Sequence, residues 1–287
     1  MSVNLASWNV EGRLSRGNTS SRGSIDDIMD GIEKLNADVI MLPEAFEEAL
    51  GLDPRAKSRM LELGYLHTPQ TMYSDAGERP AGVFAPPLAM IIASRIALIE
   101  TEVIRLGNLR NMLRIQVKDS ASGAPLNIYG VHFDDRNKPF RMRQIEELAE
   151  IMKHHPEPSV VIGDYNSMTG EGMVAKVLRS KIASVAASAL SGEVGYAAQR
   201  ALDMASGDEL RRLYELTNLR NVDPSGTPTT TPKLKQMPRI APSIPMIDID
   251  HLSVSPEVDV ADFTIMKDDG GSDHRALSAT LSVASPH

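Results

Sequence analysis

The chain of 287 residues reads as a mixed α/β domain, and three observations lead there. Apolar runs of strand length recur from end to end, segments with three-to-four apolar spacing separate several of them, and no linker divides the sequence. Enclosed sheet architectures of roughly 200 to 250 residues or more commonly form one domain, so residues 1–287 are expected to fold as a single unit. Hydrophobic residues make up 42% and charged residues 24%, which suits a globular chain and is too apolar for a disordered one.

Val3 to Trp8 reads as the first strand and the polar stretch Glu11 to Arg22 as the loop after it. Ser24 offers a helix cap, and Ile25, Ile28, Met29, Ile32 and Leu35 share one helical face. Asp38 to Leu42 reads as a buried strand ending at Pro43-Glu44, which completes a strand, helix, strand unit. Tyr65 to Pro87 is expected as a surface loop, because strand-like residues resume directly at Leu88 to Ala93. Leu113, Ile115 and Val117 alternate with Arg114, Gln116 and Lys118, the period-two pattern of a half-buried strand. Ser122-Gly123 supplies a turn and Leu126 to Val131 the returning strand of a hairpin. Pro139 suits a first helical turn, and Ile145, Leu148, Ala149 and Met152 form the apolar face of a helix that stops before Pro156. Val160 to Ile162 reads as a strand, and helices are expected around 171–180 and 208–217. After a segment crowded with Pro and Thr at 224–245, strands at Ile247 to Val254 and Ala276 to Val283 close the chain.

Composition narrows the function. No window approaches the roughly 20 apolar residues of a membrane span, and the first residues lack a basic region followed by an apolar one, so a cytoplasmic protein without a membrane partner is expected. With no cysteine, a metal must sit among oxygen or imidazole ligands, which favours a hard cation. Thirty Lys and Arg against 38 Asp and Glu leave a net charge of -8, which disfavours tight general binding of duplex DNA while allowing a local basic cleft. Nothing in the sequence points to a protein partner.

Asn9, Glu44, His132, Asp164, Asn166, Asp250, Asp273 and His274 sit at or just after the ends of predicted strands, where polar groups can turn into a shared cleft. Singly, each has a plainer explanation; an isolated Gly-Asp-x-Asn is more often a turn cap. Together, Ala-Ser-Trp-Asn9-Val, Asp38-Val-Ile-Met-Leu-Pro-Glu44, Tyr-Gly-Val-His132-Phe-Asp, Val-Ile-Gly-Asp164-Tyr-Asn166, Ile-Asp250-His-Leu-Ser-Val-Ser and Ser-Asp273-His274 resemble the endonuclease/exonuclease/phosphatase superfamily, the pancreatic-deoxyribonuclease-like fold. The resemblance spans nearly the whole chain. It implies an α+β, four-layer α/β/β/α sandwich, two packed mixed sheets flanked by helices, and a hydrolase of phosphate esters. Pro43 stands where the family commonly has Gln, and Tyr165 where it often has Phe. Neither change touches a ligand or titrating group, so both bear on substrate subfamily.

Hydrolysis of a phosphate ester by in-line attack needs the phosphate oxygens neutralised, a water positioned and the leaving oxygen assisted. Glu44, Asn9 and Asp273 offer oxygen ligands for Mg2+, with Mn2+ as a substitute. Asp164 is free to orient and deprotonate water, and Asn166 can donate its amide to a phosphate oxygen. The resemblance pairs Asp250 with His274, a pairing that favours the charged imidazole, and it makes His132 a phosphate contact or leaving-group acid. His154-His155 suits a helix end better than a metal site, and His251 is expected to pack beside its strand. Arg13, Arg16 and Arg22, and Lys233, Lys235 and Arg239, are expected to be solvated unless they line the cleft. The leading expectation is a magnesium-dependent phosphodiesterase, a nuclease (endonuclease or exonuclease) acting on nucleic acid. A phosphatase or phosphodiesterase for a small nucleotide, inositol or lipid-headgroup phosphate is the alternative, favoured by a pI near 5.4 and 4% aromatic content. A non-catalytic binding module on the same fold is the third.

Overall fold

The structure is a computed structural model. It describes residues 2–18, 24–72, 88–107, 110–120, 122–135, 137–171, 173–180, 199, 201–230, 247–267 and 270–284. Arg22, Lys233, Lys235 and Arg239, with residues 73–87 and 231–245 of the two Pro-containing segments, lie outside them.

Two mixed six-stranded sheets stack face to face. The first has the order β11 (Val258–Ile265), β12 (Leu277–Val283), β1 (Val3–Ser7), β2 (Val39–Glu47), β4 (Leu88–Ser94), β3 (Gln70–Met72). The second runs β5 (Leu98–Leu106), β6 (Arg110–Lys118), β7 (Pro125–His132), β8 (Ser159–Asp164), β10 (Asp250–Val254), β9 (Arg220–Asn221). Alternation along the strands explains the layering. Val3, Leu5, Val39 and Met41 meet Leu113, Ile115, Ile128, Val160 and Ile162 in the core between the sheets. Ala6, Trp8, Ile40 and Leu42 point the other way, onto α1 (Ile25–Leu35) and α2 (Pro54–Glu62). Tyr129, Val131 and Val161 likewise pack on α3 (Lys138–Lys153) and on α5 (Asp208–Thr217), which follows the short α4 (Met173–Leu178). Each fully buried aliphatic side chain of these layers stabilises the fold by about 1.5–3 kcal/mol. The result is the expected four-layer sandwich, and the Ser24 cap and the 112–131 hairpin form as expected.

The sheets share a plan that positions the site. Among the described residues each contains one parallel pair, β1–β2 and β7–β8, closed by a crossover through α1 or α3, and every other strand pairing is antiparallel. Parallel strands end on the same side, so Asn9 and Glu44 emerge at one rim, and His132 and Asp164 at its counterpart. Two antiparallel strands begin there: β10 opens with Asp250 opposite Asp164, and β12 opens at Leu277 opposite Ser7, just after Asp273-His274. His132, Asp164 and Asp250 are register partners across three strands, which puts their side chains in one row.

Several elements depart from expectation. β2 runs on through Pro43-Glu44 to Glu47, with its register against β4 shifting between Leu42 and Phe46. At that bulge Pro43, Glu44 and Ala45 pair their carbonyls with the N–H groups of Val10, Gly12 and Leu14, so the loop after Asn9 is stitched to the strand bearing Glu44. The strand expected from Ile247 to Val254 begins only at Asp250, Ile247 making an isolated bridge to Thr230. Arg13 is buried and ion-paired with Glu11 at 3.0 Å, whereas Arg16 is exposed.

Gly163 sits at φ +139°, where a Cβ would run into the carbonyl oxygen of Val131 on the neighbouring parallel strand. Gly163→Ala is therefore expected to lower the unfolding free energy by about 3 kcal/mol or more. Urea denaturation checks it: an unchanged midpoint would contradict the register described here.

Candidate active site

Eight residues from both sheets meet at the rim. His132 Nε2 lies 3.6 Å from Glu44 Oε1 and 3.7 Å from Asp164 Oδ2. His274 Nε2 lies 3.9 Å from the same Asp164 oxygen and 3.6 Å from Asp273 Oδ1. Asp164 is fixed by two donors, the Asn166 N–H to Oδ1 at 2.9 Å and Asn9 Nδ2 to Oδ2 at 3.1 Å. Asn166 donates Nδ2 to the Phe133 carbonyl at 3.0 Å, which leaves the second amide proton for a ligand. Asn9, expected as a metal ligand, already donates to Asp164 and accepts from the Glu11 N–H at 3.1 Å, so its amide oxygen keeps one lone pair. Glu44 and Asn166 both hold φ +49°, a left-handed backbone that side chains rarely adopt and that persists only where neighbours enforce it.

The second half of the site is a hydroxyl-lined clamp. His274 Nδ1 lies 2.8 Å from Asp250 Oδ2, which also accepts Thr229 Oγ1 at 2.7 Å and Thr230 Oγ1 at 2.9 Å. Ser272 Oγ accepts from the His274 N–H and donates to the Asn9 carbonyl, and Trp8 Nε1 donates to the His274 carbonyl. Trp8 and Ser272 lie inside two of the quoted motifs without a role read for them, and Thr229 and Thr230 carry no signal that sequence reading could isolate. Arg110, ion-paired with Asp135 at 3.0 Å, was also not singled out, yet its charge acts on both Glu44 and His132. His154 caps the end of α3 in solvent, and His251 packs in β10 with Nε2 2.6 Å from the Ser167 carbonyl.

Electrostatics separates the titrating groups. Burial, then the charge of Asp164, pushes Glu44 up to about 7. Burial and then Asp250 raise Asp164 to about 7, against the lowering pull of His274. Burial opposes charge on His274 too, but Asp250, by charge and hydrogen bond, followed by Asp164 and Asp273, outweighs it and carries the imidazole to about 10. Asp250 is held below the usual carboxylate range, since the His274 charge and the threonine hydrogen bonds overcome its burial. His132 is driven well below 6.5 by burial, then by Arg110 and His274, and is neutral at pH 7.

These residues fit a hard divalent cation. Glu44 and Asp164 both lie within 4 Å of one neutral imidazole, and burial first and mutual or neighbouring carboxylate charge second raise both, a cost of ionisation that a bound cation would offset. The donors are oxygens throughout, and a quarter of the Glu44 side chain meets solvent, leaving access. Asp164, Asp250 and His274 also bring donor atoms within 4.8 Å of one another. That trio is a poor cage, because His274 is protonated and Asp250 is spent on His274 and two hydroxyls.

The sign of the pH effect follows. A carboxylate raised from 4.5 to about 7 binds its proton more tightly when folded, so the metal-free protein loses stability as pH rises through that window. Magnesium at about 100 times its Kd is then expected to raise the melting temperature by roughly 5 °C near pH 8. Near pH 5.5, where one competing proton weakens binding about thirtyfold, the gain at the same magnesium concentration should fall to about a third of that. Equal shifts at both pH values would rule out a raised carboxylate in the cation site.

The model of the Endonuclease/Exonuclease/phosphatase family matches residues 6–274. No curated protein matches the sequence. Among solved structures, an endonuclease/exonuclease/phosphatase from Beutenbergia cavernae is 18% identical with a TM-score of 0.66, over 98% of this chain and 72% of that one. The human Nocturnin catalytic domain is 14% identical with a TM-score of 0.60, over 99% and 95%. A 3′ phosphatase from Neisseria, bound to a product DNA hairpin, is 14% identical with a TM-score of 0.59, over 98% and 99%. These likenesses establish the shared fold. Members of the matching family are phosphoric ester hydrolases and generally use a divalent metal. On a match that runs from residue 6 to 274 and holds every rim residue described above, this chain belongs to the endonuclease/exonuclease/phosphatase family.

Proposed function

We propose that this protein is a divalent-metal-dependent phosphodiesterase acting on nucleic acid, with magnesium as the ion and Asp164 as the group that deprotonates the attacking water. The observation that carries the reading is the opposition of Asp164 and His274, 3.9 Å apart, one carboxylate near 7 and one imidazole near 10. A base works best with a pKa near the operating pH, and Asp164 has one. Asn9 and the Asn166 N–H hold its carboxylate in a single orientation. His274, locked through Nδ1 to Asp250, keeps Nε2–H and a positive charge for the oxygens of the pentavalent transition state. Neutral His132 fits a hydrogen-bond contact to phosphate better than a leaving-group acid. Asn166 contributes its remaining amide proton. Glu44 and Asp273, with the spare lone pair of Asn9, would hold the cation, which when bound supplies Lewis-acid neutralisation of the phosphate.

The Neisseria neighbour's DNA product supports a nucleic-acid substrate. The charge of -8 and 4% aromatic content favour a smaller phosphate, since stacking and phosphate steering are both weak. A panel decides between them: bis(nitrophenyl) phosphate, plasmid, single-stranded DNA, RNA, 3′-phosphorylated and 2′,3′-cyclic nucleotides, and inositol phosphates, each with and without magnesium. Magnesium-dependent cleavage of a polynucleotide above every small substrate is expected. Preference for a free nucleotide or inositol phosphate would replace the nucleic-acid reading, and inertness towards all of them would leave a binding module.

A further inference from the structure

We propose that the buried ion pair Arg141–Glu209 is a positioning device that fixes the two rim segments carrying His132 and Asp164–Asn166 relative to each other; this rests on the hydrolase reading above. Both side chains are 1% exposed. Arg141 Nε donates to Glu209 Oε1 at 3.0 Å, with Nη2 2.8 Å from the same oxygen. The remaining guanidinium nitrogen, Nη1, donates to the Asp134 carbonyl at 3.2 Å, two residues after His132. Glu209 Oε2 accepts from Ser167 Oγ at 3.3 Å, one residue after Asn166, and from Ser206 Oγ at 3.3 Å. One pair on two helices thus grips both segments. Each segment is further anchored, Asp134 N–H to Gln144 Oε1 at 2.8 Å and the Ser167 carbonyl to His251 Nε2 at 2.6 Å. The segments also touch directly, through Phe133 N–H to the Asp164 carbonyl and Asn166 Nδ2 to the Phe133 carbonyl, both at 3.0 Å.

Helix packing alone does not call for this pair. Leu148, Leu210 and Leu213 already bury the contact of α3 and α5 against the sheet. A buried ion pair is often no more stabilising than apolar residues of similar volume, because desolvation of both charges offsets their attraction. What it adds is direction: a planar guanidinium with fixed donor angles reaches a carboxylate and a carbonyl at once. Asp164 and Asn166 act at hydrogen-bond range, where a displacement of about 1 Å can cost roughly a hundredfold in rate.

The test is the paired variant Arg141→Met with Glu209→Leu, and separately Ser167→Ala, each measured three ways. The paired variant is expected to melt within a few degrees of wild type, while kcat on bis(nitrophenyl) phosphate falls by about tenfold to a hundredfold with KM changed less than about threefold. Amide exchange in segments 132–137 and 163–168 should quicken, with the rest of β7 and β8 unchanged. Ser167→Ala should show a smaller loss of the same kind, and it carries the test alone if the paired variant does not fold. Wild-type exchange in both segments, or wild-type kcat in a folded paired variant, overturns the positioning role. A wild type inert towards every phosphate ester would defeat the hydrolase reading instead, and amide exchange would still decide whether the pair holds the two segments.

Discussion

Asp164→Asn is expected to lower kcat about a thousandfold, within the range that positioned acid–base groups contribute, while leaving the fold intact. The replacement is isosteric and keeps an oxygen for the Asn166 N–H. It cannot accept a proton from water, and its new amide faces the Asn9 amide that now donates to Oδ2. Because that loss falls on the chemical step, KM should move little, and single-turnover rates should fall as far as steady-state rates. A variant with more than about a tenth of wild-type kcat would assign the water to another group.

Asp250→Asn should be nearly as damaging, and it also changes the pH profile. In the native site the carboxylate of Asp250 keeps His274 charged up to about 10. A histidine whose folded pKa is raised contributes stability that is complete below its unfolded value, near 6.5, and is lost as pH rises through about 10. Replacing the carboxylate by an amide removes the largest charge that opposes burial and leaves only Asp164 and Asp273 against it, so the imidazole pKa falls towards the working pH. The expected result is a loss of about a hundredfold to a thousandfold in kcat/KM near pH 7.5. The alkaline limb of the pH profile should move towards acid. Thr229 and Thr230 can still donate to the amide oxygen, which is why the variant should fold. An unmoved alkaline limb would mean that Asp250 does not set the charge of His274.

How much of this was legible depended on which side of an element is buried. A strand with one dry face, such as Arg110–Lys118, declares itself by alternation, and strands buried on both faces, such as Val39–Glu47, by a continuous apolar run. β5 and β11 do not, because they are edge strands with most side chains in solvent, Ile99 at 57% and Val103 at 52% exposure among them. α2 was missed for a similar reason: only Ala56 and Met60 are buried, too few to mark a periodicity. At the rim, all eight side chains singled out in the sequence do converge. Their supports stayed hidden, since a threonine 20 residues from Asp250 in sequence becomes its partner only once β10 is paired. The sequence pattern ends this strand at Pro43-Glu44, and only the bulge reveals that it continues to Glu47.

The matching halves of the molecule make the site a composite of both. Asn9 and Glu44 ride on one parallel pair, His132 and Asp164 on the other. Neither sheet alone owns both partners of the 3.6 Å Glu44–His132 contact or the Asn9–Asp164 hydrogen bond. The proposed chemistry therefore depends on how the two sheets face each other: a shift of one sheet across the shared core would part these pairs while leaving every strand intact.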